Sequence, residues 1–229
     1  MTYSAAQNWN ELYNNNIEIA YPAEGVIRIF KGEFPQLKMP KPKAGQSIID
    51  VGCGDGRHLS LFSALSMESY GVEISEEIVE SVSSNLQALN IKTNLLVGSN
   101  SNLPFDENFS DFLLSWNSCY YMSHEQTSFP QHVNELARVI KKGGWIICSI
   151  PKATSFIFDK SQDSEISGYK VIKNDFFNQR NGEIMRCFSS QQEIQEEFSS
   201  HFENFCFADI HMDWFGLNYH WHVFVAQKK

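Results

Sequence analysis

The sequence predicts an α/β protein built on a parallel sheet, and three observations carry that expectation. Short apolar runs alternate with amphipathic helical stretches between residues 47 and 151. The first run, Ser47–Val51 (SIIDV), ends in a glycine cluster, as a buried parallel strand does where it feeds a turn. The spacing of strand, helix and next strand is that of βαβ units.

Each element has a local reason. A helix over 56–66 follows the glycines, and 68–74 (ESYGVEI) reads as a second strand. Over 76–90, Ile78, Val82, Leu86 and Leu89 are spaced for one buried helical face. Residues 93–97 and 111–115 read as the third and fourth strands. The helix over 125–141 repeats Val133, Leu136, Ala137 and Ile140 on one side, Gly143-Gly144 stops it, and 145–150 is the fifth strand.

Outside this core the pattern changes. Trp9, Leu12 and Tyr13 share a face of a short helix, and Val26, Ile27, Ile29 and Phe30 follow Pro22, a helix-opening residue. Residues 34–47, with three prolines and three lysines, form a solvated connector. Residues 152–175 are polar and irregular, and 176–188 suits a hairpin around Asn181-Gly182. Ser190 and Glu193 fit a capping box that opens a helix over 189–201. Residues 205–211 and 221–226 read as a terminal antiparallel pair. The expected organisation is a single domain over 1–229. It comprises a helical lid and linker (1–46), a core (47–151), an insertion (152–188) and the terminal helix with its strand pair (189–229).

Composition narrows the function. The 229 residues are 42% hydrophobic, ample for a core, and carry a net charge of −9. That sign repels phosphate backbones, so nucleic acid is not expected as a partner. Mean hydropathy is −0.31, and no apolar run approaches the roughly 20 residues that span a bilayer, so no membrane role is expected. Five scattered cysteines without a CxxC and an N-terminus without a signal pattern suit a cytoplasmic protein with reduced thiols. His220 and His222 share a strand face but lack a third ligand, so no metal is expected.

The sharpest chemical signal is Asp50-Val51-Gly52-Cys53-Gly54-Asp55-Gly56-Arg57-His58. A glycine-rich turn between strand and helix brings bare backbone and a positive helix end to a ligand. The spacing departs from the dinucleotide GxGxxG: Arg57 holds the place of the last glycine, and Asp50 and Asp55 flank a loop that a pyrophosphate would avoid. Glu73 ends the next strand, where a carboxylate accepts hydrogen bonds from both hydroxyls of a ribose.

With these residues on view, the stretch from about 47 to 151 resembles a class I S-adenosylmethionine-dependent methyltransferase. IIDVGCGDGRHL resembles that family's first motif and YGVEIS its ribose-binding second. VGSNSNLPFDENFSDFLLSWNSCYYM resembles the adenine loop and fourth strand, and LARVIKKGGWIICSIP the following helix and fifth strand. The resemblance implies a doubly wound, seven-stranded, mostly parallel sheet whose last strand is antiparallel, with S-adenosylmethionine as cofactor. It implies that Asp50, Gly52, Cys53 and Gly54 hold the methionine part, Glu73 the ribose, and Ile74 and Leu103 the adenine faces. Asn117 would sit near the sulfonium. Many relatives have Asp after the adenine-loop glycine; here Gly98 is followed by Ser99, and Ser99 or the Asn100 side chain takes that place.

The expected activity is methyl transfer to oxygen or nitrogen of a small polar metabolite, with a sugar or sugar phosphate as one example. A protein methyltransferase and a non-catalytic cofactor-binding subunit are the rivals. Acceptor contacts must come from outside the core motifs: Trp9, Tyr13, Tyr21 and Arg28 as a lid, Tyr120 and Tyr121 as pocket wall, Arg180 and Arg186 for an anionic group. His124 is the candidate base. An oligomer is compatible with the sequence but not predicted by it.

Overall fold

Alternation along each central strand sets the architecture. In the computed structural model, which describes Trp9, residues 20–122 and residues 128–229, Ile48 faces one side of the sheet and Ile49 the other; Phe112 and Leu113 divide likewise. Two apolar layers result. The helices α1 (Glu24–Lys31), α2 (Arg57–Ala64) and α3 (Glu76–Ala88) cover one face, while α4 (Phe129–Val139) and α5 (Gln191–Phe198) cover the other. Strands buried on both faces read as continuous apolar runs, which is why 47–51 stood out.

The main sheet holds β1 (Ser47–Val51), β2 (Glu68–Glu73), β3 (Asn94–Val97), β4 (Ser110–Trp116), β5 (Ile140–Pro151), β9 (Phe202–Trp214) and β10 (Leu217–Lys228). Their spatial order is β3-β2-β1-β4-β5-β10-β9. The first five pair in parallel, and β10 runs antiparallel to both β5 and β9. The expected seven-stranded, doubly wound sheet with an antiparallel last strand is therefore present. The strand order reverses between β1 and β4, so their carboxyl ends flank a crevice open to a ligand.

Several boundaries differ from the sequence reading. The fifth strand begins at Ile140: Gly143-Gly144 lies within β5 and does not separate helix from strand. Gly143 takes φ +77° there, beside a register shift opposite Ser110 and Phe112. The irregular stretch after β5 holds a 3-10 turn (Phe156–Phe158) and a second small sheet of β6 (Gln162–Asp163), β7 (Tyr169–Val171) and β8 (Ile184–Arg186). The hairpin joins β7 to β8, so its first strand precedes the expected segment, and residues 172–183 form its loop. At α5, Ser190 Oγ accepts from Glu193 N (3.2 Å), but the Glu193 carboxylate accepts from Ser189 N (2.8 Å), one residue before the box position.

Candidate active site

The glycine loop leaves β1 with Gly52, Gly54 and Gly56 all at positive φ. At Gly52 the requirement is also steric: a Cβ would stand 2.7 Å from Ser118 Cβ, on the segment that follows β4. Ser118 is itself pinned, its hydroxyl 2.5 Å from Val51 O and 2.7 Å from Ser115 Oγ. The backbone groups of β1 and β4 therefore approach closely, with no side chain between them.

Glu73 closes one side of this crevice. It is buried, and its two oxygens accept from Gly54 N (2.7 Å) and Ile74 N (3.1 Å). Burial pushes its carboxyl up to about 7, against the opposing pull of those two amides; Asp50 adds repulsion. Each oxygen keeps a lone pair for a further donor. Asp50 is almost fully buried, and neither of its oxygens carries a hydrogen bond. His58 Nδ1 stands 3.3 Å from Asp50 Oδ2, an ion-pair distance without hydrogen-bond alignment. Asn100 donates to Ser118 O (3.0 Å), which leaves its Oδ1 buried and unpartnered. Orphaned acceptors of this kind cost stability unless a ligand donates to them.

Two adjoining cavities occupy the carboxyl edge. The smaller, about 110 Å³, is lined by Gly52, Glu73, Ile74, Ser99, Asn100 and Asn117, among others. The larger, about 630 Å³, shares Trp9, Gly52, Asn117 and Tyr121 with it and extends over Cys53 and Gly54. Its far walls are aromatic: Tyr120, Phe156, Phe177, Tyr219 and Trp221. Phe156 stacks on Tyr219 and Tyr219 on Trp221, with centroids 6.3 and 3.6 Å apart. Arg180 also reaches this chamber. Its Nε donates to Tyr121 Oη (3.1 Å), and its Nη1 spans both Asp175 oxygens (3.1 and 3.2 Å). Asn117, in the left-handed region at φ +61°, is held by Ser149, whose Oγ donates to Asn117 Oδ1 (2.7 Å).

Other candidates are placed elsewhere. Leu103 belongs to the core and lines neither cavity; its backbone N–H donates to Glu135 (2.6 Å). Tyr21 is 92% exposed. Arg28 pairs with Glu24 (2.6 Å) and borders an apolar groove between α1 and the β9–β10 edge, away from the chamber. Of the four side chains expected to form the lid, Trp9 is the one among the described residues that lines the cavities, packed edge-on against Tyr121 (5.8 Å). Arg186 is structural: it pairs with Glu193 (2.6 Å) and Glu197 (3.1 Å) and lies over the Phe188 ring. His124 and Tyr13 lie outside the described residues. His222 binds Asp209 (3.1 Å) and His220 binds Thr154 (3.1 Å); among the described residues no three His, Cys, Asp or Glu side chains group as metal ligands. Among the described residues no helix is long and apolar enough to cross a membrane.

The sequence reading missed Glu183, Phe156, Phe177 and Tyr219, all of which line the two cavities. They lie in or against the insertion, where no periodicity marks an inward side chain.

Comparison with known proteins agrees with this geometry. Residues 49–148 match the family described as a methyltransferase domain. An uncharacterized methyltransferase of Bacillus subtilis, YcgJ, is 29% identical over 109 residues, 47% of this chain and 42% of its own. A tRNA (carboxymethyluridine(34)-5-O)-methyltransferase of Arabidopsis thaliana is 30% identical over 47% of this chain and 24% of its own. A demethylmenaquinone methyltransferase of Symbiobacterium thermophilum is 32% identical over 46% and 43%. The chain thus spans less than half the length of these curated relatives. In fold, it resembles a solved S-adenosylmethionine-dependent methyltransferase from Methanosarcina mazei, with a TM-score of 0.61 at 18% identity over 82% of this chain and 94% of that one. The glycine loop, the acid at the end of β2 and the seven-stranded sheet are thus similar to those of class I, Rossmann-like, S-adenosylmethionine-dependent methyltransferases.

Proposed function

We propose that this protein transfers a methyl group from S-adenosylmethionine to an oxygen or nitrogen of a small molecule bound in the aromatic chamber. One observation carries the reading: the cavity bearing Glu73 and the aromatic chamber meet at Gly52, Asn117 and Tyr121, so two ligands can share one seam.

The residues present fit the cofactor. Glu73 offers free lone pairs to a diol, Asp50 and Asn100 Oδ1 are acceptors awaiting donors, and Gly52 leaves the cradle that a Cβ would fill. When bound, S-adenosylmethionine supplies a methyl group already activated on a sulfonium, so the protein's own work is alignment and exclusion of water. Trp9, Tyr120, Tyr121 and Trp221 supply an apolar wall for that purpose. The stacked rings favour an acceptor with a planar or apolar body over a sugar phosphate. Arg180, fixed by Asp175 and Tyr121, has an Nη2 without a hydrogen bond among the described residues and suits an anionic substituent. A net charge of −9 argues against a polymer such as tRNA as the acceptor.

Incubation with methyl-labelled S-adenosylmethionine and fractionated cell extract, followed by mass spectrometry, tests this. Label in a small soluble compound is expected. Label only in protein or RNA overturns the small-molecule assignment.

A further inference from the structure

Two carboxylates line the smaller cavity, and the fold treats them differently. Glu73 accepts two backbone hydrogen bonds. Glu183, in the loop between β7 and β8, is 8% exposed, and its carboxylate has no hydrogen bond or ion pair among the described residues. Its backbone is fixed: Glu183 N donates to Arg180 O (3.0 Å) and Glu183 O accepts from Ile172 N (2.9 Å). The next residue is tied to the segment after β4, since Ile184 O accepts from Met122 N (3.0 Å). Arg180, in the same loop, is already engaged, because it pairs with Asp175 and Tyr121. Burial alone pushes the Glu183 carboxyl up to about 7. A rigidly placed, unpaired acid in a cavity wall is costly in the free protein and is offset when a cation enters.

We propose that Glu183 is a specificity-determining residue of the cofactor site, its carboxylate favouring the positively charged sulfonium of S-adenosylmethionine over the neutral thioether of S-adenosylhomocysteine. The inference rests on the methyltransferase reading. It gives the site a means of preferring the methyl donor to the spent product, whose retention would block the next turnover. The ionisable groups around Glu183 are Tyr121 after β4, Arg180 and Asp175 on its own loop, and Glu73 across the cavity. Glu73 also titrates near 7 and must be separated from it.

Calorimetric dissociation constants for both ligands between pH 6 and 8, in the wild type, Glu183→Gln and Glu73→Gln, provide the test. The α-amino and carboxylate groups that both ligands share cancel in the ratio of the two constants. In the wild type, preference for S-adenosylmethionine is expected to rise about fivefold across this range as Glu183 ionises. The rise is expected to vanish in Glu183→Gln and persist in Glu73→Gln. A wild-type preference that does not change with pH, or a rise that survives Glu183→Gln, overturns the inference while leaving the methyltransferase reading intact. Failure of both ligands to bind the wild type overturns that reading and this inference together.

Discussion

At the scale of single residues, the site is built from acceptors held ready. Glu73 shows the cost: burial raises its carboxyl from 4.5 to about 7, so the folded protein binds a proton that the unfolded chain has released. Stability from this group is fully present below about pH 4.5 and is lost as pH rises through 7. At about 1.4 kcal/mol per pKa unit, the penalty approaches roughly 3 kcal/mol above neutrality. Glu73→Gln removes the titration while keeping an acceptor for Gly54 N. Denaturant unfolding of both proteins at pH 5 and 7.5 should show the variant gaining on the wild type by about 2 kcal/mol, part of the penalty being already present at pH 5. His132, His201 and His222, each held by burial below its usual value, titrate alike in both proteins and cancel. An equal gap at the two pH values would mean that Glu73 is not buried as described.

At the scale of elements, the decisive joint is the turn from β1 to α2. Gly52→Ala places a Cβ 2.7 Å from Ser118 in a left-handed conformation at φ +70°. It should cost about 2–4 kcal/mol in thermal unfolding and abolish cofactor binding. Gly45→Ala is the matched control: φ is +80°, nothing lies within 4 Å, and only the conformational penalty of about 1 kcal/mol remains. Equal losses at the two positions would refute the close approach of β1 and β4. Ser190→Ala should cost about 1 kcal/mol through the lost cap on α5, read as a lowered midpoint in urea.

This is also the scale at which the sequence was most legible. SIIDV and the glycines behind it announce themselves because a strand buried on both faces has no polar side to show. Ile78, Val82 and Leu86 mark α3 because one face alone is buried. The ends were harder to place. Ile140 closes an apolar helical stripe and opens β5 at once, so periodicity alone put it in the helix. The small sheet was illegible because β6, β7 and β8 have only two or three residues each, too few for an alternation to register. Glu183 was missed for the same reason. An acid in a polar loop looks solvated until tertiary packing buries it.

At the scale of the whole molecule, the insertion completes the site by roofing the carboxyl edge of the sheet. It brings Phe156, Phe177, Arg180 and Glu183 over the glycine loop. Arg186 fastens this roof to α5 through Glu193 and Glu197 and packs on Phe188. Arg186→Met should lower global stability by about 3 kcal/mol, since two partly buried glutamates lose their cation. Urea unfolding measures the loss, and a change below about 0.5 kcal/mol would place the contact among weak surface pairs. We propose that the crevice at the ends of β1, β2 and β4 holds the cofactor through Glu73. Isothermal titration of S-adenosylhomocysteine into the wild type and Glu73→Ala tests it most directly. One site per chain is expected, weakened in the variant by about 1–3 kcal/mol through lost charge-assisted hydrogen bonds. Equal affinity in the two proteins, or no binding to the wild type, would contradict it.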